Sequence, residues 1–396
     1  MIDSKLIFPY AQNSRQALRV ISEYTEYGFI DDDNMLMDLS LGSCGCFPIG
    51  FKRNDIIDSV YKQMTQRPFT SGEFFATNTS VIELGEKLYK MSNGYHSMFS
   101  LSGSDAIEGA LRLAQMYNHR NKFLGFRKSY HGSTYMSSSV SDATYMTDIF
   151  GKDPRCIVSD YNLDMLTDDL CAVVIETASW QNGLYNPGNE FWEGLRKTCT
   201  EKNIVLIVDD IAMCGGKTGT FFGFNGIVEP DIFTMGKGLS GGYFPLSATM
   251  ASEKIYDKMK DNLWPHGFSY SFSLSGIYST LAYLDVIEKE QIFDNHLRLV
   301  TLTKDIANRL LASGLIKGYN NHGLVFNLEL LQDKPLEEIF ERFLYKHGLS
   351  AGLWNEGGSG LLFIVPLNAP DSWFTKLESN LINALTDYRS SLAITN

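Results

Sequence analysis

The sequence predicts an α/β fold, with a large domain built around a mostly parallel sheet and a second, smaller α+β domain. Between about residues 80 and 250, segments with helical periodicity alternate with short apolar runs, which is the pattern of βαβ units. After about residue 275, two long helical segments precede a segment in which apolar and polar residues alternate. No low-complexity linker separates the two parts, so we expect them to pack tightly against each other.

The first predicted elements of the large domain are two helices. Residues 81–89 show helical spacing of apolar side chains. In residues 106–117, Ile107, Ala110 and Leu111 fall on one face of a helix. These faces are expected to pack against the sheet.

Two strands of the large domain are predicted further along the chain. Residues 171–175 and 204–208 are short, β-branched and almost continuously apolar. Strands covered on both faces have this composition. A helical stretch over residues 190–200 lies between them, so the three segments form a predicted βαβ unit.

The smaller domain is predicted from helices over residues 277–288 and 293–314 and a strand over residues 323–330. A short strand over residues 35–39 would have to return to this domain in space. We therefore divide the chain into an N-terminal segment that joins the small domain, a large domain and a C-terminal small domain: residues 1–60, 61–284 and 285–396.

Composition and charge exclude several classes of function. The chain has 396 residues, 44% of them hydrophobic, which is enough to bury a large core, and a formal net charge of −12. This charge disfavours binding to nucleic acid or to an anionic membrane, because both depend on clustered Lys and Arg. The sequence has neither a secretory signal pattern nor a run of about 18 apolar residues, so we expect a cytoplasmic protein.

The cysteines do not indicate a metal site. The six cysteines form no C-x-x-C pair and have no histidine at zinc-site spacing. We expect them to be buried, reduced thiols. They are Cys44, Cys46, Cys156, Cys171, Cys199 and Cys214.

Lys237 is the most informative residue for function. It lies 237 − 209 = 28 positions after Asp209, which begins an acidic pair at the end of an apolar run. An enzyme that uses pyridoxal phosphate needs a lysine that forms a Schiff base with the cofactor aldehyde. It also needs a carboxylate that keeps the pyridine nitrogen protonated, so that the ring can accept electrons. Together, the two residues favour a pyridoxal-phosphate site.

The segment around Lys237 also allows a rival interpretation. Gly236, Gly238 and Gly241 match the dinucleotide fingerprint G-x-G-x-x-G and follow an apolar run. That fingerprint should open a helix, but Pro245 follows two glycines and two aromatic residues, which is a poor first helical turn. A nicotinamide dehydrogenase therefore stays an alternative, and the spacing disfavours it.

The acidic pair admits a structural interpretation as well, because such pairs are common at solvated strand ends. In an extended strand, however, Asp209 and Ile211 point to the same side. Asp209 can then reach the pyridine nitrogen while Ile211 packs on the ring face. Asp210 would turn into the surrounding structure.

A possible phosphate site lies at the predicted start of a helix, in residues 101–108 (LSGSDAIE). Ser and Asp are good N-cap residues, and the spacing from Asp105 to Glu108 is that of a capping box. Unpaired N–H groups and the helix dipole at such an end attract an anion. A cap without a ligand is the simpler interpretation, but the nearby candidate lysine favours a phosphate. Tyr130 supplies an aromatic ring that could stack on a cofactor or simply pack.

These motifs together resemble the class III aminotransferases of the fold-type I pyridoxal-phosphate superfamily. The likeness extends from about residue 36 to 370, and the motifs occur in the family's order and spacing. They are LSGSDA at 101–106, YHG at 130–132, IE at 175–176, VDDI at 208–211, GKTG at 216–219, PD at 230–231, GKG at 236–238 and HGFSY at 266–270.

The resemblance implies a large domain with a mostly parallel seven-stranded sheet, a small domain from both chain ends and a role for each matched residue. Lys237 is implied to form the aldimine and to act as the general base, and Asp209 to hold the pyridine nitrogen. Ser269 stands where the family has a threonine that reaches the phosphate of the neighbouring subunit. The other residues implied to lie beside the cofactor are Gly103, Ser104, Tyr130, His131, Glu176 and Ile211.

Within the family, the motifs are most similar to those of the diaminopelargonate aminotransferases, but residues at the expected substrate site differ. Glu356 stands where that group has an arginine that binds a carboxylate, and Leu362 stands where many other members have one. An early aromatic pair is replaced around Cys44. An arginine is the usual bidentate partner of a carboxylate. We therefore hypothesise that the carboxylate anchor is absent and that the substrate's distal end is neutral or cationic.

The predicted reaction is ping-pong transfer of an amino group from an amine donor to a carbonyl acceptor, through a Lys237 aldimine. The resemblance also implies a homodimer with shared active sites. Isomerases, decarboxylases and lyases use the same cofactor on this fold, so they remain alternatives. A non-catalytic protein that retains the fold is a further alternative, which an intact Lys237 and Asp209 disfavour.

Overall fold

The computed structural model describes residues 7, 20–31, 34–67, 69, 77–332, 337–354 and 360–394. The strands within these residues, in chain order, are β1 (Ile21–Thr25), β2 (Gly28–Asp31), β3 (Asn34–Asp38), β4 (Tyr95–Ser100), β5 (Lys122–Phe126), β6 (Cys156–Ser159), β7 (Leu170–Glu176), β8 (Val205–Asp209), β9 (Ile232–Met235), β10 (Ser247–Ser252), β11 (Gly318–His322), β12 (Val325–Glu329), β13 (Leu349–Ser350), β14 (Gly352–Trp354) and β15 (Gly360–Ile364).

Helices connect and cover these strands. In chain order, the α-helices of the described residues are α1 (Asn54–Met64), α2 (Thr79–Met91), α3 (Gly103–Asn118), α4 (Tyr135–Val140), α5 (Thr144–Phe150), α6 (Asn189–Glu201), α7 (Glu253–Met259), α8 (Leu274–Lys289), α9 (His296–Ala312), α10 (Glu337–Lys346) and α11 (Asp371–Ile394). Short 3₁₀ turns cover Leu163–Met165, Lys237–Ser240 and Ile292–Asn295, and a π-helical turn covers Leu41–Gly45.

The large sheet has seven strands in the order β4-β10-β9-β8-β7-β5-β6. Strands β6, β5, β7, β8 and β9 run parallel, and β10 pairs antiparallel with both β9 and β4. This sheet confirms the predicted mostly parallel, seven-stranded large domain. Because parallel strands end on the same edge, the residues that follow β7, β8 and β9 are brought together.

Helices cover both faces of the large sheet, which explains the apolar runs in its strands. In β8, Val205 and Ile207 join the buried cluster that contains Ile107 of α3. Leu206 and Val208 join the cluster that contains Trp192 of α6. A strand buried on both sides needs apolar residues at successive positions, so its sequence is a continuous apolar run.

Two smaller sheets carry the rest of the chain. One has the order β1-β2-β3-β13, and the other has the order β11-β12-β15-β14. β3 pairs in parallel with β13, and Met37 lies opposite Leu349. The predicted strand over residues 35–39 thus contacts the C-terminal part of the chain. The division at residues 60 and 284 stays a prediction, and α8 runs through the second boundary.

Several predicted elements differ in detail from the structure. The helix expected over residues 293–314 begins at His296, after the 3₁₀ turn Ile292–Asn295, and ends at Ala312. The capping box expected between Asp105 and Glu108 is wrong. Ser102 is the N-cap of α3, and its hydroxyl accepts a hydrogen bond from the Asp105 amide at 3.2 Å.

Glu108 instead binds the start of α4. Its Oε1 accepts hydrogen bonds from the Thr134 hydroxyl at 2.6 Å and from the Met136 amide at 3.0 Å. A glutamate that follows the N-cap by six positions is too far along the helix to reach back to the cap, so it joins two helices instead.

Among the described helices, none combines the length and apolar character needed to cross a membrane. The described residues also contain no group of three or more His, Cys, Asp or Glu side chains arranged to hold a metal ion.

Candidate active site

A cavity of about 770 Å³ opens at the edge of the large sheet where β7, β8 and β9 end. Glu176 is the last residue of β7, Asp209 is the last residue of β8, and Lys237 follows β9 by two positions. All three side chains line the cavity. The parallel sheet thus gathers residues that are far apart in the sequence.

Lys237 begins the 3₁₀ turn after β9 with a φ of +45°, which is unusual for a residue other than glycine. Its Nζ lies 5.9 Å from the centroid of the Trp180 ring. Burial acts to lower the pKa of Lys237, but Cys44, Cys46, Asp209 and Glu176 outweigh it, so the pKa is raised. These neighbouring groups therefore favour the ammonium form of the amine.

Asp209 is buried and held in a fixed position. Its Oδ2 lies 2.8 Å from Nδ1 of His131, and its Oδ1 accepts a hydrogen bond from the Ile211 amide at 3.1 Å. The His131 side chain is buried, and its Nε2 has no hydrogen-bond partner among the described residues. His131 thus holds one oxygen of the Asp209 carboxylate, and it also contributes to the cavity lining.

Asp210 points away from the cavity, as the strand alternation predicts. Its carboxylate accepts hydrogen bonds from the Thr177 hydroxyl at 2.8 Å and the Gly223 amide at 2.7 Å. Burial raises the pKa of Asp210 to about 7. This residue anchors the loop around Gly223 behind the site.

Glu176 lines the cavity on the side of Tyr130 and Trp180. Its carboxylate receives long hydrogen bonds from the Tyr130 amide at 3.4 Å and the Trp180 amide at 3.5 Å. Burial raises the pKa of Glu176 to about 7, and the nearby Asp209 acts in the same direction. Near neutral pH this carboxyl group can hold or release a proton.

The N-terminus of α3 forms another wall of the cavity. Ser102, Gly103 and Ser104 line it, and no described group accepts a hydrogen bond from the amides of Gly103 or Ser104. Four N–H groups at a helix start lack partners within the helix, and the dipole favours an anion there. A Cβ atom at Gly103 would lie 2.8 Å from Cδ1 of Ile211, so the glycine lets these two walls approach closely.

Ser104 also connects this wall to the loop that carries Tyr130. Its hydroxyl accepts a hydrogen bond from the Ser133 amide at 3.0 Å. Gly132 has a φ of +130°, and a Cβ there would lie 2.4 Å from Oγ of Ser104. The glycine of the YHG segment is therefore required by both its backbone conformation and the space available.

A further part of the lining faces Lys237 and was only partly predicted. We name it the substrate wall and define it as Cys44, Cys46, Trp180 and Leu362, all of which line the cavity. The expectation that all six cysteines are buried is wrong for two of them, because Cys44 and Cys46 are half-buried there. The structure places these two thiols in and beside the π-helical turn Leu41–Gly45.

Trp180 lacked any motif that could have identified it from the sequence. It follows β7 in a loop, and its position over Lys237 depends on how β7 and β9 are arranged in the sheet. The sequence identifies Leu362 only as a position where many other members of the family have an arginine. It lies on β15 in a buried apolar cluster with Leu41 and Ile364, against which Trp180 packs.

Two predicted site residues are not part of the described cavity lining. Ser269 is exposed in the turn before α8 and does not line the cavity of its own chain. Glu356 lies outside the described residues, so its predicted substrate role stays a prediction. The structure brings the other predicted residues to the cavity lining: Cys44, Gly103, Ser104, Tyr130, His131, Glu176, Asp209, Ile211 and Lys237.

The residues of the cavity fit pyridoxal phosphate. The free amides at the start of α3 suit a phosphate group, and the Asp209 carboxylate suits a protonated pyridine nitrogen. Lys237 supplies an amine for the aldehyde. These three groups line one cavity whose volume lies in the range of cofactor sites.

The chain is similar in sequence to known aminotransferases. A model of the family described as aminotransferase class-III matches residues 10–381. An uncharacterized aminotransferase from Sinorhizobium fredii is 26% identical, over 66% of this chain and 65% of that protein. An acetylornithine aminotransferase from Vibrio cholerae is 31% identical, over 54% of this chain and 56% of that protein. The chain thus spans less than two thirds of the length of these two relatives.

Other similarities extend over nearly the full chain. An adenosylmethionine-8-amino-7-oxononanoate aminotransferase from Methanocaldococcus jannaschii is 24% identical, over 90% of this chain and 91% of that protein. The crystal structure of a transaminase from the marine bacterium Virgibacillus superposes with a TM-score of 0.91 at 20% identity, over 98% of both chains. An amine transaminase from an uncultivated Pseudomonas species has a TM-score of 0.88 at 22% identity, over 97% of this chain and 99% of that one. These structures confirm the predicted fold.

Proposed function

The chain belongs to the class-III aminotransferase family, whose cofactor is pyridoxal phosphate, and we propose that it moves an amino group from an amine donor to a carbonyl acceptor by a ping-pong mechanism. The observation that carries this proposal is the placement of Lys237, Asp209 and the free start of α3 around one cavity. The family match confirms the resemblance to class III aminotransferases that the sequence motifs indicate.

We propose the following roles for the residues that hold the cofactor. Gly103 and Ser104 bind the phosphate through their amides, and Asp209 binds the pyridine nitrogen, with His131 orienting the carboxylate. Ile211 and Tyr130 cover the ring. When bound, pyridoxal phosphate supplies an aldehyde carbon that can carry an amino group and a ring that accepts electron density from the substrate.

Lys237 has two proposed roles. Its Nζ holds the cofactor before the donor arrives, and the free amine then takes the proton from the amine-bearing carbon of the donor. A general base must be neutral to accept this proton, whereas the acidic groups around Lys237 raise its pKa. With the cofactor in place, Lys237 would have to lose that proton before it could act as the base.

The chain is also proposed to form a homodimer with shared active sites. The support is the position of Ser269, which matches the family's phosphate-binding hydroxyl yet lies exposed and outside the cavity of its own chain. In the proposed dimer, this hydroxyl serves the site of the second subunit.

The proposed amino transfer can be tested by the visible spectrum of the cofactor-loaded protein during addition of single amines. The amines are α-amino acids, diamines, ω-amino acids and S-adenosylmethionine. We expect at least one donor to replace the spectrum of the lysine-linked cofactor with that of pyridoxamine phosphate. The Lys237→Ala variant should bind cofactor and keep the fold, as judged by circular dichroism, but show no turnover.

Other outcomes would separate the alternatives. An amine that is consumed without formation of pyridoxamine phosphate would favour a decarboxylase, lyase or isomerase on the same fold. Retained turnover in Lys237→Ala would refute the catalytic assignment. A protein that never shows the lysine-linked spectrum after cofactor addition would point to a non-catalytic member of the family.

A further inference from the structure

We infer that the amine substrate presents an uncharged, apolar group, and not a carboxylate, to the substrate wall of Cys44, Cys46, Trp180 and Leu362. This inference rests on the proposed amino transfer and specifies its substrate class. It follows from the position of the wall, from the charges around it and from the cost of burying an unpaired carboxylate.

The substrate wall lies beside the reacting group. The Trp180 ring lies 5.9 Å from Nζ of Lys237, and Cys44 and Cys46 line the same cavity as Lys237. Leu362 is buried in the same cluster against which Trp180 packs. A substrate whose amine reaches Lys237 can therefore extend its next groups along these side chains.

The described lining of the cavity contains no arginine. Its ionisable side chains besides the two thiols and the tyrosines are Glu176, Asp209, Lys237 and His131. Lys237 is taken up by the cofactor and the reaction, and His131 is bound to Asp209 at 2.8 Å. No cation among the described lining residues is left to pair with a substrate carboxylate.

Lys217 lies behind the wall but does not serve it. Its side chain is fully buried and absent from the cavity lining, and its Nζ donates to the carbonyl oxygens of Gly45 at 3.2 Å and Cys214 at 2.6 Å. These bonds fix the π-helical turn from behind. The segment 355–359, which contains Glu356, supplies neither lysine nor arginine.

A carboxylate moved from water to this wall would lose its hydration without gaining a charged partner, which is strongly unfavourable. An ammonium group is disfavoured for a different reason. Glu176 is the acidic group next to the wall, but two amides already bind it and its pKa is raised to about 7. An apolar group gains from burial against Trp180 and Leu362 without either cost.

The test uses the half-reaction of the cofactor-loaded enzyme with four amines that share a five-carbon chain: pentylamine, 5-aminopentanamide, 5-aminopentanoate and 1,5-diaminopentane. We expect the second-order rate constant of the half-reaction to be at least about tenfold larger for pentylamine than for 5-aminopentanoate. Discrimination of this size is typical of one mismatched group in a pocket. The amide should fall between them. Preference for the carboxylate or for the diamine would overturn the inference.

A binding measurement keeps this inference separate from the proposed function. Pentanamide and pentanoate carry no amine and cannot react, so calorimetry gives their dissociation constants whether or not the enzyme transfers amino groups. We expect pentanamide to bind at least about tenfold more tightly. Equal or tighter binding of pentanoate would overturn the inference, even if amino transfer is demonstrated. Failure of all four amines to react would count against the proposed amino transfer alone. The binding of pentanamide and pentanoate would still test the inference about the substrate wall.

A gain-of-charge variant provides the matched control. Leu362→Arg places a guanidinium in the wall and should raise the preference for 5-aminopentanoate over pentylamine by about tenfold or more, because arginine binds carboxylates through paired hydrogen bonds. Leu362→Met keeps the volume without the charge and should retain the wild-type preference. An unchanged preference in a folded Leu362→Arg protein would contradict the location of the wall. If the buried arginine prevents folding, the wild-type measurements remain decisive.

Discussion

At the residue scale, Asp209, the proposed partner of the pyridine nitrogen, is itself held by His131. The hydrogen bond of 2.8 Å joins side chains 78 positions apart, and both are buried. This bond restricts the rotamers of the Asp209 carboxylate. A residue that positions another in this way can change the affinity for a bound group without contacting it.

We predict that His131→Phe weakens cofactor binding about tenfold, which corresponds to roughly 1.4 kcal/mol. The ring volume is retained while the bond to Asp209 is lost. Titration of the apoprotein with pyridoxal phosphate, followed by protein fluorescence, measures the effect. His131→Asn places an amide near the position of Nδ1 and should recover most of the affinity. Equal affinity in wild type and His131→Phe would show that the bond has no positioning role.

Asp210 leads to a prediction about pH. Its pKa is about 7 in the folded chain and near 3.8 when unfolded, so the folded state binds the proton more tightly. Its contribution to stability is complete below about pH 4 and is lost as pH rises to 7. Asp210→Asn keeps the shape, and its amide can donate to Thr177 while its oxygen accepts from Gly223.

We therefore expect Asp210→Asn to gain stability relative to wild type between pH 4.5 and 7, by on the order of 2 kcal/mol. Urea unfolding of the apoproteins at several pH values measures the difference. The exposed Asp148→Asn serves as control, since this substitution changes no buried charge. A difference between Asp210→Asn and wild type that stays constant with pH would show that the buried carboxyl group is not the cause.

At the scale of elements, periodicity predicted those helices and strands whose packing depends on apolar faces. The helices over residues 81–89 and 106–117 correspond to α2 and α3, and the two apolar runs correspond to β7 and β8. β4 and β10 were not identified. They pair through serine and threonine positions such as Ser247 with Ser100, so neither has the apolar run that marks a buried strand.

In the candidate site, too, features with a local sequence signal were predictable, and contacts between distant parts of the chain were not. Lys237, Asp209 and the start of α3 were predictable because each carries a chemical requirement at a recognisable local position. The bond from His131 and the position of Trp180 were not, because both depend on the order of strands in the sheet. The π-helical turn was also missed, since the two glycines in LGSCG favour a turn over any helix.

The start of α3 supports a prediction about close packing. A Cβ at Gly103 would lie 2.8 Å from Cδ1 and 3.2 Å from Cγ2 of Ile211, so Gly103→Ala must displace that side chain from the cavity wall. We expect cofactor affinity to fall about tenfold, because overpacking of this kind typically costs about 1–3 kcal/mol. Equilibrium titration with pyridoxal phosphate measures this change.

Gly85→Ala provides the control for this helix substitution. Gly85 lies in α2, and a Cβ there would have no heavy atom within 4 Å. This variant should be more stable by about 0.5–1 kcal/mol, because alanine favours a helix over glycine, and should bind the cofactor as wild type does. If both variants bind the cofactor equally well, Ile211 does not form part of the ring contact.

At the scale of the whole molecule, the proposed dimer can be tested by complementation. Ser269→Asp should repel the phosphate in the neighbouring subunit's site, while Lys237→Ala removes the base of its own site. Each variant alone should be inactive. Mixed dimers combine one intact Lys237 with the Ser269 of its partner, so equal mixing after refolding should restore roughly a quarter of wild-type activity. No restoration in verified mixed dimers would refute shared active sites.

The pairing of β3 with β13 has a consequence for the way the protein is made. Met37 and Leu349 are 349 − 37 = 312 positions apart. At a synthesis rate of about 5–20 residues per second, β3 waits roughly 15–60 s after its own translation before its partner strand exists. During that interval, the unpaired edge of the β1-β2-β3 sheet is open to other chains on the same messenger RNA. A chaperone that covers the β1-β2-β3 sheet would protect the nascent protein during this interval, which lasts until after Lys237 has been translated.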